Sequence, residues 1–95
     1  MITVYKYECS IGAFSLELPE LYETLHVAEQ NGRLVMWVKA DTDNEAETVH
    51  FHAYGTGWPI DESDERLHMH VGTVKTSAGL LWHVFELWDI TEAYK

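Results

Sequence analysis

Apolar and polar residues alternate with a period of two along most of the chain, which is the pattern of half-buried β-strands. Residues 2–9 alternate and are rich in Val, Tyr and Thr, predicting a strand. In 13–18, Phe14, Leu16 and Leu18 point one way and Ser15 and Glu17 the other, and Pro19 closes the run. Residues 24–30 and 33–40 flank Asn31-Gly32. That dipeptide suits a type I′ turn, whose two central residues need positive φ, so the pair reads as a β-hairpin. Its second strand, Leu34-Val35-Met36-Trp37-Val38, is apolar on both faces and is predicted to lie centrally, covered on both sides.

Asp41 to Glu47 reads as an acidic loop. In 48–54, Val49, Phe51 and Ala53 share one face, with His50, His52 and Tyr54 on the other. Gly55-Thr56-Gly57-Trp58-Pro59 breaks the alternation, and 61–66 suggest a short acidic helical turn. Residues 67–75 form a further strand, opposing Leu67, Met69 and Val71 to His68 and His70. A turn at 76–79 leads to a last buried strand, 80–86. In the tail, 87–95, Leu87, Ile90, Ala93 and Tyr94 are spaced for a short C-terminal helix. Seven short strands predict a mostly β single domain over 1–95, one small antiparallel sheet curled as a sandwich or barrel. The expected core comprises Val4, Phe14, Leu16, Leu25, Val27, Val35, Trp37, Phe51, Met69, Val71, Trp82 and Phe85.

Charge narrows the function. Six Lys and Arg face sixteen Asp and Glu, a formal net charge of −10 with His neutral. No run of cations exists to neutralise phosphates, which argues against direct nucleic-acid binding and against an anionic membrane surface. The acidity serves solubility or attracts a basic protein partner. Asp41, Asp43, Glu45 and Glu47 form one acidic patch; Asp61, Glu62, Asp64 and Glu65 form another. A single cysteine, Cys9, permits no intrachain disulfide and fits the cytoplasm of a cell. No apolar run is long enough to span a membrane, and the N-terminal residues lack the pattern of a secretion signal. Four Trp and five Tyr are many for 95 residues, so some are expected at a subunit contact of a homo-oligomer.

Several sites could carry chemistry. His50 and His52 lie on one strand face, and His68 and His70 on another. With the right register the four imidazoles would converge as zinc ligands; otherwise they are surface histidines. Asp41-Thr42-Asp43-Asn44-Glu45 resembles the start of a calcium loop, but Ala46 stands where the sharp turn needs Gly. Gly55-Thr56-Gly57 lacks the further residues of a P-loop or dinucleotide fingerprint. It nevertheless sets backbone amides beside the flat ring of Trp58, a pairing suited to a base or ribose-linked ring. The expected ligand-binding residues are therefore Tyr54, Gly55, Thr56, Gly57, Trp58 and His70. No serine sits in a nucleophile elbow, and His83, beside Trp82, reads as a hydrogen-bonded core or rim histidine. No catalytic residue and no cofactor is expected, and binding is favoured over catalysis.

Val49–Ile60, His70–Val74 and Leu81–Glu86, with Tyr5-Lys6-Tyr7, resemble segments of a widespread family of small proteins from bacteriophages and prophages. The resemblance spans roughly 3–86, leaving 87–95 as an extension, and it brings no catalytic residue with it. Relatives usually carry His at the position of Trp58 and seldom His at 50 and 52. What the resemblance implies is an accessory protein acting against host defence in the bacterial cytoplasm. One reading is an oligomeric sponge for a nucleotide-derived immune signal. A second is an acidic inhibitor covering a basic surface of a host nuclease or CRISPR complex. Others are an interaction protein without a ligand, or an enzyme or metal protein built on the histidines.

Overall fold

The computed structural model describes residues 1–89. It holds seven strands: β1 Ile2–Glu8, β2 Gly12–Pro19, β3 Glu23–Gln30, β4 Arg33–Asp41, β5 Ala46–Gly55, β6 Leu67–Lys75 and β7 Leu81–Trp88. They form two antiparallel sheets, β1-β4-β3 and β2-β5-β7-β6, packed as a sandwich. The strands are thus shared between two sheets rather than curled from one. Residues 9–11 carry the chain from the first sheet to the second.

The β3–β4 hairpin follows from Asn31 and Gly32, at φ 55° and 78°, the two positive values a type I′ turn demands. Gln30 pairs with Arg33 across it, which fixes the register. β4 is central in its sheet and turns Leu34, Met36, Val38 and Ala40 into the core. The second sheet covers it on that side. Among the described residues nothing forms a layer over the opposite face, where Trp37 is half-buried and stacks on His26.

The core lies between the sheets. β5 alternation points Val49, Phe51 and Ala53 inward, and β7 adds Trp82 and Val84. Phe51, Leu18, Met36, Val38 and Val84 are the largest side chains almost wholly removed from water. Each such burial stabilises by roughly 1.5–3 kcal/mol. Phe14 stacks on Phe51 with ring centroids 5.2 Å apart.

Of the expected core, Val27, Val35, Phe51 and Trp82 are buried, while Phe14, Leu16, Trp37, Val71 and Phe85 are partly so. Val4, Leu25 and Met69 are exposed. Val4 pairs with Lys39 on the uncovered face of the first sheet. A register shift between Thr24 and His26 leaves Leu25 without a partner in the ladder. Met69 opens onto a cleft between the sheets.

One expected helix needs correction, and the other falls mostly outside the described residues. Residues 61–66 form turns without helix. The Asp61 carboxylate accepts from the Ser63 N–H and hydroxyl, and Asp64 accepts from the Arg66 N–H and guanidinium. Such side-chain bonds to nearby backbone compete with helix formation. In the tail, Leu87 and Trp88 continue β7, and 90–95 lie outside the described residues. Among the described residues no helix is long and apolar enough to cross a membrane.

Candidate functional site: the histidine and aromatic face

Strand alternation sends Val49, Phe51 and Ala53 inward, and so sends His50, His52 and Tyr54 to the outer face of the second sheet. β7 adds His83 and Phe85 there, and β6 adds His68, His70 and Thr73. A β-bulge between His70 and Gly72 makes the last set possible, because the extra residue restores Thr73 to the face that carries His70. Five of the six histidines therefore share one surface around Phe85. That face was legible in the alternation; the bulge was not.

The four histidines weighed as candidate metal ligands share the face but do not converge. β7 runs between β5 and β6, so Leu87 stands between His50 and His68, and Phe85 between His52 and His70. Among the described residues no three His, Cys, Asp or Glu side chains are placed to hold a metal ion. The rings pack with aromatics instead. His52 stacks on Tyr54 with centroids 3.8 Å apart and planes within 9°. His70 tilts against Phe85 at 5.4 Å. The Tyr54 hydroxyl lies 3.4 Å from His68 Nε2, and His68 Nδ1 lies 2.9 Å from the Arg66 carbonyl. Burial, then the nearby His68 and Arg66, lower the pKa of His52. Burial raises that of Tyr54.

Gly55 to Trp58 form a type II turn. Trp58 N–H donates to the Gly55 carbonyl at 3.0 Å, and Gly57 supplies the positive φ of 84°. The Trp58 amide is thus engaged by the turn rather than left free for an anion. The Trp58 ring lies over Gly55 and meets Trp82 edge to face at 5.1 Å. It stays 46% exposed although it is braced on both sides.

Trp58 separates two open clefts. One, of about 400 Å³, is lined by Gly55, Thr56, Trp58, Gly79, Leu80, Leu81 and Trp82. The other, of about 420 Å³, is lined by Ala13, His52, Tyr54, Trp58, Pro59, Asp61, Asp64 and Arg66. The expected ligand residues divide accordingly: Gly55 and Thr56 on the first, Tyr54 on the second, Trp58 on both. Gly57 lines neither, and His70 stands apart on the sheet. His52 and Arg66 join the second cleft without having been expected there. Arg66 holds Asp64 through two nitrogens and keeps its carboxyl well below the usual range.

His70 is nonetheless tied to the turn. Thr56 Oγ1 lies 2.8 Å from His83 Nε2; His83 Nδ1 lies 3.1 Å from Thr73 Oγ1; Thr73 Oγ1 lies 2.9 Å from His70 Nε2. A neutral imidazole donates from one nitrogen and accepts at the other, so the four groups form a chain that can run in either sense. Sequence spacing alone gives no sign of this chain.

The acidic patches are partly occupied. Asp41 and Asp43 each lie 2.9 Å from the N-terminal ammonium, and Asp61 and Asp64 hold their own loop. The segment resembling a calcium loop is a tight turn, with Asn44 N–H donating to the Asp41 carbonyl.

The molecule is thus a small antiparallel β-sandwich with one histidine-rich, aromatic face and an exposed tryptophan between two clefts. The chain belongs to the family described as "Domain of unknown function (DUF7352)", whose model matches residues 1–94. No curated protein and no solved structure matches it.

Proposed function

We propose that the protein binds a planar, nucleotide-type small molecule at Trp58 and sequesters it without chemistry. The carrying observation is the Trp58 ring itself. It is half-exposed, it is held by Gly55 and Trp82, and it shares a cleft with the stacked His52–Tyr54 pair. A heterocycle stacked there gains on the order of 1–3 kcal/mol per base. Among the described residues Arg66 is the one Lys or Arg lining the cleft, so an anionic group on the ligand takes Arg66 in competition with Asp64.

The resemblance to small phage proteins supports an immune signal as the ligand and counter-defence in the bacterial cytoplasm as the setting. Both clefts are open, and exposed Leu80 and Leu81 at the rim of the first offer apolar surface for a second subunit. The test is calorimetry against cyclic dinucleotides and cyclic ADP-ribose isomers, followed by heat release of the ligand. Intact ligand after heating supports sequestration, and converted ligand means an enzyme. No binding by a protein that still protects phage in cells turns the reading to inhibition of a basic host protein.

A further inference from the structure

Another cleft, of about 470 Å³, opens on the inner side of the second sheet beside the β2–β3 connection. Its walls include Tyr22, Glu23, Glu47, Met69, Glu86 and Trp88. β7 alternation puts Glu86 on the inward face, between Phe51 and Met69 of the neighbouring strands. Glu86 is only 8% exposed; the Trp88 indole N–H reaches its carboxyl, and its Oε1 has no hydrogen-bond partner among the described residues. Tyr22 lines the same cleft, and its hydroxyl is likewise buried and without a partner among the described residues. Two buried polar atoms without a partner beside one cleft are costly unless something completes them.

Among the described residues the lining contains no Lys, Arg or His. It contains three carboxylates and two aromatic rings. Carboxylates take charged N–H donors, and aromatic faces attract the same cations. A bare metal ion fits poorly, since no three ligating side chains come together among the described residues. A longer cation suits the spread of groups, because its alkyl body can lie on Met69 while its nitrogen reaches the acid.

We propose that this cleft is a binding site for an aliphatic ammonium ion, with Glu86 accepting its charged N–H groups, Tyr22 completing the hydrogen bonding and Trp88 supplying a cation–π face. Entry turns the enclosed Glu86 carboxyl toward the cleft. The site stands on the opposite side of the sheet from the His52–Tyr54 face and does not depend on the Trp58 reading.

The experiment is NMR titration of the full chain at low salt with putrescine. Butanediol serves as the neutral match and magnesium as the simple cation. Putrescine is expected to give saturable shifts that include the Trp88 indole N–H, and butanediol none. Glu86→Gln is expected to weaken binding at least about tenfold and Tyr22→Phe severalfold, while Glu45→Gln, outside the cleft, leaves it unchanged. Absence of saturable shifts overturns the proposal. So does unchanged affinity in both Glu86→Gln and Tyr22→Phe, or the same shifts with magnesium, which would mean general attraction to an acidic surface.

Discussion

A Cβ atom placed on Gly55 would lie 2.8 Å from Nε1 of Trp58 and 3.0 Å from its Cε2. The glycine is therefore the seat of the indole ring. Gly55→Ala must push the ring off its seat, because contacts below about 3 Å are repulsive. The expected result is a shifted Trp58 indole resonance and a loss of ligand affinity approaching that of Trp58→Ala, roughly tenfold to a hundredfold. Gly57 has open space where a Cβ would go, but its φ of 84° disfavours any other residue. Gly57→Ala should cost stability by roughly 1 kcal/mol and displace the ring less. Two-dimensional NMR with calorimetry separates the two effects.

His52 gives a pH prediction of definite sign. Its pKa is lowered in the folded protein, first by burial and then by His68 and Arg66. A depressed folded pKa means stability present above the ordinary value of 6.5 and lost as pH falls through the depressed value. His52→Phe keeps a ring against Tyr54 and removes the titration. Its stability should fall less on acidification than that of the wild type, as followed by urea unfolding. Equal acid slopes in the two proteins would show that the His52–Tyr54 stack carries no such linkage.

The Thr56–His83–Thr73–His70 chain joins the Gly55–Trp58 turn to β6. Thr73 Oγ1 has one proton to give and stands between two imidazoles. Thr73→Val keeps the shape and removes both bonds. The site is exposed, so the loss of stability should be small, about 1 kcal/mol or less. The sharper readout is histidine tautomerism. The nitrogen shifts of His83 and His70 should both change in Thr73→Val, and unchanged shifts at either would show that its bond to Thr73 does not form.

The fold was largely legible because a two-residue period and an Asn-Gly turn are local signals. Alternation put Val49, Phe51 and Ala53 on one side of β5 and three ring residues on the other, as found. What stayed hidden depends on non-local pairing. No local pattern announces that β7 inserts between β5 and β6, and this separates the four histidines. Nor does it announce the irregularities at Leu25 and Val71, each of which changes which side chains share a face. Trp58 and Tyr54 were visible as an aromatic pair at a glycine bend. Arg66 and His52 entered the same cleft only because the 56–66 segment folds over the sheet. Glu86 was not legible as a buried acid for a related reason: a single acid in an apolar strand does not reveal which face it takes.

Cys9 should be a slow thiol. Burial, aided by Glu8, raises its pKa to about 11 from 9.0. Stability linked to the protonated thiol is complete below 9.0 and lost as pH rises through about 11. Since the thiolate is the nucleophile, labelling by a thiol reagent at neutral pH should be far slower than in the urea-unfolded chain. Labelling at the unfolded rate without denaturant would contradict the packing around Cys9.

Glu86 predicts a gain from a substitution in a nearly buried site. Burial raises its pKa above the ordinary 4.5, and the Trp88 indole N–H opposes this only in part. A carboxyl with a raised folded pKa contributes stability that is full below 4.5 and lost as pH rises through the raised value. Asp41, Asp61 and Asp64 act in the opposite sense, because hydrogen bonds lower their folded pKa values and acid removes their contribution. The acid profile of the wild type therefore mixes both signs and isolates neither. The difference between Glu86→Gln and wild type isolates one, since the aspartates cancel. Glutamine keeps the shape and cannot ionise. Its stability relative to wild type should be lowest below pH 4.5, rise through the range where Glu86 ionises in the folded protein, and level off above it. Urea unfolding of both proteins across that range measures the difference directly. A pH-independent difference would mean that Glu86 ionises in the folded chain as readily as in the unfolded one, contradicting its burial.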